Sequence, residues 1–283
     1  MGRRSSSQNR SMTPQDVSMD NERTQSAKER RGRFRILIIG RVNSGKTMIL
    51  KRVCDTAEEP EVYNMHGHKV DRSILAASAE RGEHDIENEM VFASNPDFCF
   101  HDSRGFQSGG SAELDRVKAF IAHRSQQQKS ENRLHAIWYC IPLDDSRPFT
   151  AAESQFFSEF GTGDVPVIVV FTKFDALNNK AYDTLRTNNL SRADARKEAP
   201  KRAISEFEQR YLHLFYNRPY PPKGHVWFRD NLFLLQCQII SIHMLQTCKR
   251  KAQTVTSSLG KRPALLTANF LAAYNQQLSP VYD

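Results

Sequence analysis

The sequence predicts an α/β fold of three layers, with a mostly parallel sheet and helices on both faces. Three observations predict it. Short apolar runs recur along the chain, each bounded by turn-forming residues. Stretches of helical periodicity fall between them. The first apolar run passes through a Gly/Ser loop directly into one of those helical stretches, as in a strand–loop–helix unit.

Taken in order, Phe34-Arg35-Ile36-Leu37-Ile38-Ile39 is mostly apolar and ends in Gly40, which suits a strand covered on both faces. Residues 46–53 have the spacing of a helix. Residues 98–101 read as a strand leading into Asp102, residues 135–141 as a third strand and residues 164–171 as a fourth, the clearest of the set. Helical patterns fall at 112–124, 150–160 and 200–216, a last strand at 225–228 and a further helix near 263–277. No internal repeat is visible. Sheets of this kind bind ligands at the carboxyl ends of their strands.

The composition supports a packed core, with 39% hydrophobic and 25% charged residues in a chain of 283. Residues 1–31 are rich in Ser, Arg, Gln and Asn and have almost no large apolar side chains, so they read as a disordered basic tail. Residues 32–283 read as one domain. The net charge of +8 is unevenly placed, because residues 1–35 hold nine Lys/Arg against four Asp/Glu. The remainder is only mildly basic, which argues against a specific nucleic-acid partner. Five cysteines, Cys54, Cys99, Cys140, Cys237 and Cys248, are widely spaced, and read as reduced, mostly buried thiols in a cytoplasmic protein. The run from Leu232 to Leu245 is broken by Gln236, Gln238 and His243 and falls short of the roughly 20 apolar residues of a membrane span. It reads as core, and no transmembrane segment is expected. His66, His68, His84 and His101 lack the carboxylates that would make a metal cluster of them, and read as polar loop histidines.

Residues 40–47, Gly-Arg-Val-Asn-Ser-Gly-Lys-Thr, match G-x-x-x-x-G-K-[ST] in full. In such a loop Gly40 permits the sharp turn at the strand end. Gly45 lets backbone N–H groups close around phosphate oxygens without a Cβ in the way. The helix that follows adds its N-terminal dipole to the anion site. Lys46 reaches the β- and γ-phosphates, and the Thr47 hydroxyl faces Mg²⁺. The bland alternative is a glycine turn without a ligand, but the strand before and the helix after are the context the motif requires.

Downstream, Asp102-Ser-Arg-Gly105 has the form D-x-x-G at a strand tip. Asp102 suits the Mg²⁺ side, and Gly105 can offer its N–H to a γ-phosphate. A solvated strand-end carboxylate would explain Asp102 equally well in isolation. Its place after the phosphate loop is what gives it weight. Finally, Thr172-Lys173-Phe174-Asp175 has the form [NT]-K-x-D after the fourth strand. A single carboxylate at Asp175 can accept from both N1–H and the 2-amino group of guanine. Adenine would leave it unpaired, and an unpaired buried acceptor is costly. Lys173 would lay its stem along the base.

The order GxxxxGKT, DxxG, TKxD resembles the Ras-like G domains of the translation-factor-related class of P-loop GTPases, and the GRVNSGKT loop resembles the GRPNVGKS form of the Era and TrmE GTPases. RGEHDIENEMVFASNPDFCFHDSRGF, HAIWYCIPLDDSRPFTAAE and VPVIVVFTKFDAL resemble the multi-copy G-domain proteins of basidiomycete fungi. The resemblance spans about residues 34–230 and implies a P-loop NTPase fold. It implies phosphate contacts from Asn43, Ser44, Gly45 and Lys46, and Mg²⁺ at Thr47 and Asp102. Catalytic roles fall to Lys46 and Gly105, and the base to Thr172, Lys173 and Asp175. Asn43 extends the expected cofactors from GTP/GDP and Mg²⁺ to K⁺.

Three departures stand out. Phe106 follows Gly105 where Ras-type enzymes carry the Gln that positions water, so hydrolysis should be slow unless a metal, a partner or a nucleotide-dependent homodimer supplies the missing group. The switch Thr is not evident: Thr56 comes too soon after the helix, which leaves Ser73, Ser78 or His84. The loop that should back the guanine ring is not recognisable at Arg229-Asp230-Asn231, and residues 232–250 match the family poorly. The expected function is a slow GTPase switch acting on an unknown protein effector. The alternative is a nucleotide-binding pseudo-GTPase that serves as an interaction platform. An ATP-dependent enzyme on the same loop is disfavoured by Asp175.

Overall fold

The computed structural model describes residues 33–71, 85–103, 105, 111–127 and 132–228. Seven strands form one sheet in the order β2-β3-β4-β1-β5-β6-β7. The strands are β1 (Phe34–Gly40), β2 (Glu61–Tyr63), β3 (Glu89–Phe92), β4 (Asn95–Asp102), β5 (Ala136–Pro142), β6 (Val167–Thr172) and β7 (Gly224–Trp227). Strands β4, β1, β5, β6 and β7 run parallel to one another. Only the β2–β3 and β3–β4 pairs are antiparallel among the described strands. The sheet is therefore mostly parallel, as the sequence predicts. The helices are α1 (Lys46–Val53), α2 (Ser111–Ser125), α3 (Ala151–Glu159), α4 (Asp175–Thr187), α5 (Arg192–Phe207) and α6 (His213–Tyr216), with a π-helical turn at Glu208–Leu212 joining the last two.

Strand β1 shows why the central runs are apolar on both sides. Ile36 and Ile38 point to one face and pack with Ile49 and Leu50 of α1, Phe100, Trp138 and Val170. Leu37 and Ile39 point to the other, into a core shared with α2, α3, α4 and α5. All four are fully buried. Alternation by strand geometry thus feeds two cores from one run, which is how helices on both faces turn a strand into continuous hydrophobic sequence.

The antiparallel strands β2 and β3 and helix α4 are absent from the sequence reading. β2 and β3 are short and flanked by polar residues, so their period is weak. In α4 the apolar face is only Leu177, Ala181 and Leu185, spaced four apart. The helix expected at 200–216 begins earlier, at Arg192, where the Ser191 hydroxyl accepts from the Asp194 N–H at 3.1 Å. Pro200 lies inside α5 rather than at its start. The expected tail at 1–31, the helix near 263–277 and the run from Leu232 to Leu245 lie outside the described residues.

At the amino end of β1 a charged cluster is built into the α2 side of the sheet. Arg35 is 3% exposed, and its Nη1 lies 2.7 Å from Glu89 Oε1, 3.2 Å from Cys99 Sγ and 3.0 Å from His101 Nε2. His101 Nδ1 faces the Ile86 carbonyl at 2.9 Å. Burial, with Arg35 and Arg124 nearby, holds the imidazole well below its usual pKa, so the ring is neutral. Nδ1 then donates to Ile86 and Nε2 accepts from Arg35. His101 is thus a buried strand residue, not a polar loop histidine. Burial together with Arg35 and Arg133 lowers His135 to about 4, and its Nδ1 accepts from the Arg35 backbone N–H at 3.0 Å.

Both histidines bind protons more tightly unfolded than folded, so their contribution to stability is present above the unfolded value of about 6.5 and lost as pH falls below it. Denaturant titrations from pH 7 to pH 4 should show this loss, and His135→Gln should make the curve shallower. An unchanged slope in the variant would remove His135 from the account.

Candidate functional site

Strand order places the site. From β1 the chain travels outward to β2, returns through β3 and β4 to β1's near side, then crosses to β5 on the far side. The connections diverge at the carboxyl end of β1, which is the switch point where open α/β sheets hold ligands. The loop 41–45 leaves β1 there and enters α1.

The last residue of β1 is held by a close approach. Gly40 has φ +145°, and a Cβ on it would lie 2.2 Å from the Cys140 carbonyl oxygen of β5. Asn43 (φ 59°) and Gly45 (φ 79°) adopt left-handed conformations that coil the loop. Gly45 is the N-cap of α1 and supplies no side-chain cap, so the first amides of the helix keep their donors. The Arg41 carbonyl accepts from Ser44 N–H at 3.3 Å and from Lys46 Nζ at 3.2 Å. Asn43 and Thr47 are exposed at the mouth, while Ser44 is fully buried.

Asp102 ends β4 directly beside β1, in register with Ile38. The following Ser103 N–H donates to the Ile38 carbonyl at 3.1 Å. Asp102 Oδ1 is buried with no hydrogen-bond partner among the described residues. Burial lifts the carboxyl to about 6, and the charge of Lys46 only partly counters this. Gly105 packs on the loop: a Cβ there would lie 2.7 Å from both N and Cα of Val42.

The third element arrives on β6. Thr172 ends that strand, and its hydroxyl donates to the Ser44 carbonyl at 3.0 Å. Lys173 takes a left-handed φ of 56°, uncommon for a residue with a Cβ, and its Nζ donates to Asp144 Oδ2 at 2.7 Å. Phe174 is fully buried, its N–H donates to the Phe228 carbonyl at 2.9 Å and its ring lies 4.5 Å from that of Trp227. Asp175 is the first residue of α4. The structure thus gathers Asn43, Ser44, Gly45, Lys46, Thr47, Asp102, Gly105, Thr172, Lys173 and Asp175 along one edge of the sheet. Thr56 ends a helix instead: its N–H donates to Lys51 O, and its hydroxyl accepts from Glu58 N–H. Phe106, Ser73, Ser78, His84 and Arg229-Asp230-Asn231 lie outside the described residues.

Sequence reasoning missed four charged residues at this edge: Arg41, Asp144, Asp145 and Glu153. The pattern Thr150-x-x-Glu153 ahead of an apolar run was the available signal, and the structure shows that capping box at the start of α3.

Glu89, Cys99 and His101 also bring potential metal-ligand atoms within 4.8 Å of one another. They already share the Arg35 guanidinium, so the cluster has its cation. His66 and His68 stand apart from it as an exposed ring pair at 6.4 Å. Cys54, Cys99 and Cys140 are free and buried, and burial pushes each thiol up to about 12. No described helix is long and apolar enough to cross a membrane. No model of a known protein family matches the chain. No curated protein matches it either.

Asp102 costs the fold stability where its carboxyl is ionised. Its folded pKa of about 6 exceeds the ordinary aspartate value of 3.8, so its contribution declines as pH rises from about 4 to 6. Asp102→Asn should therefore raise unfolding free energy at pH 7.5 by about 1–3 kcal/mol. The two proteins should converge near pH 4. Equal stability at both pH values would mean the carboxylate is not strained.

Proposed function

We propose that this chain is a P-loop NTPase of the GTPase class, binding GTP and GDP with Mg²⁺ and hydrolysing GTP slowly to GDP and phosphate. The observation that carries the reading is the meeting of three motif loops at the switch point, tied by the Thr172–Ser44 hydrogen bond and the seat of Gly105 on Val42. Each brings a different chemistry to one place.

In this reading the amides of Ser44, Gly45 and Lys46 receive the phosphates at the head of α1, where the helix dipole favours negative charge. Lys46 gives up the Arg41 carbonyl for the β- and γ-phosphates. Thr47 and Asp102 would hold Mg²⁺, and the residues fit it: one Asp102 carboxyl oxygen is buried and lacks a partner among the described residues, and Thr47 is exposed in the first turn of α1. A divalent cation there supplies charge neutralisation for phosphoryl transfer. It also favours the ionised carboxylate that burial disfavours. Gly105 presents its N–H to the γ-phosphate. Asp175 accepts from the two guanine donors, while Thr172 and Lys173 hold its loop in position. Asn43 suits K⁺. The free thiols fit a cytoplasmic setting.

A second reading, a pseudo-GTPase platform, is favoured by Phe106, which has no group to orient water. A multiple-turnover assay separates the two. The first expects phosphate release that Lys46→Ala abolishes, and the second expects binding without turnover.

Calorimetric titration with Mg²⁺ present tests the binding itself. GDP and GTP should bind saturably and ADP and ATP should not, with Asp175→Asn narrowing the guanine preference by about 100-fold. A folded sample that ignores GDP and GTP at millimolar concentration overturns the proposal.

A further inference from the structure

Arg41 sits inside the phosphate loop yet is 4% exposed, so its guanidinium is turned away from any ligand in the mouth. Its Nε and Nη2 donate to the two oxygens of Glu153, each at 2.9 Å. Nη1 donates to the Arg147 carbonyl at 2.7 Å and lies 3.1 Å from Asp145 Oδ2. Glu153 is fully buried and is also the acceptor for the Thr150 backbone N–H and hydroxyl, so it is fixed by the first turn of α3. Asp145 is in turn gripped by Arg147 through Nε at 3.1 Å and Nη2 at 3.0 Å.

Such a forked pair is directional as well as attractive. A buried ion pair is a poor source of net stability, since apolar side chains of the same volume would serve as well. Its distinctive product is geometry. Here the geometry is transmitted to the loop, because the backbone carbonyl of the same Arg41 receives Ser44 N–H and Lys46 Nζ. The adjoining Asp144 holds Lys173 of the base element at 2.7 Å. Residues 144–153 therefore touch both the phosphate loop and the base loop.

We infer that Arg41 and Glu153, with Asp145, are positioning residues: they brace the phosphate loop against the β5–α3 connection and set its grip on the nucleotide phosphates. This rests on the guanine-nucleotide reading above. Arg41 fixes the loop's first turn, Glu153 fixes Arg41, and α3 fixes Glu153. Because the brace acts on the phosphate loop, its loss weakens binding in proportion to the phosphates the nucleotide carries beyond the first.

Titrations of the full chain with GDP, GTP and GMP test this in Arg41→Lys, Glu153→Gln and Asp145→Asn. The last variant lies at the half-buried outer end of the brace, where substitution leaves the core intact. Affinity for GDP and GTP should fall about tenfold in the two core variants and less in Asp145→Asn, with GMP changing less than twofold. Where GMP binds too weakly to titrate, the double variant Arg41→Lys with Glu153→Gln decides. Its GDP affinity should fall by less than the product of the single effects, and independent losses would overturn the brace. So would equal losses for GMP and GDP, or GDP affinities within twofold of the parent in all three variants. A parent chain that binds no nucleotide overturns the functional reading instead, whatever the variants do.

Discussion

The backbone of Gly40 lies so close to the Cys140 carbonyl that no Cβ fits between them, and the rest of the edge depends on that contact. It brings the end of β1 hard against β5, in the register that pairs Gly40 with Cys140. The loop that leaves β1 must then turn over the carboxyl ends of its neighbours. The left-handed residues Asn43 and Gly45 complete the turn and deliver the chain into α1. From there the Asp102, Gly105 and Thr172 contacts follow, because β4 ends opposite Ile38, just short of the loop, and β6 runs past the level of Gly40 to Thr172.

Two buried charge arrangements at the ends of β1 solve the same electrostatic problem differently. At the amino end Arg35 bonds Glu89 Oε1, Cys99 and His101, the histidine stays neutral beside it, and Glu89 Oε2 is buried without a partner among the described residues. At the carboxyl end Arg41 is paired with Glu153, while Asp102 keeps a buried oxygen without a partner. The first cluster holds its own cation in contact with the carboxylate. The second leaves a carboxylate poorly solvated next to an exposed loop mouth. Ser44 Oγ and Ser103 Oγ are also buried there without a partner among the described residues, so these unsatisfied polar groups gather where the loop leaves β1.

Much of the fold was legible. Strands β1, β5 and β6 are apolar runs buried on both faces, and a run of that kind has few other destinations. Helices α1, α2 and α3 carried clear periodicity. The short antiparallel strands β2 and β3 were not legible, because pairing with partners elsewhere stabilises them more than their own composition does. Helix α4 was missed because its buried stripe is only three residues wide. Within the site, the ten motif residues were legible as spacing, whereas Arg41 occupied a position the motif leaves open.

The sequence by itself determined the strand–loop–helix alternation and the three motif loops, because backbone demands at Gly40 and Gly45 and apolar periodicity are local properties. It could not show that a loop arginine, an aspartate about a hundred residues later and a helix-capping glutamate meet in one buried ion-pair network. Only the tertiary structure decided that, since the partner of a buried charge is chosen by the sheet order that brings β1 beside β5.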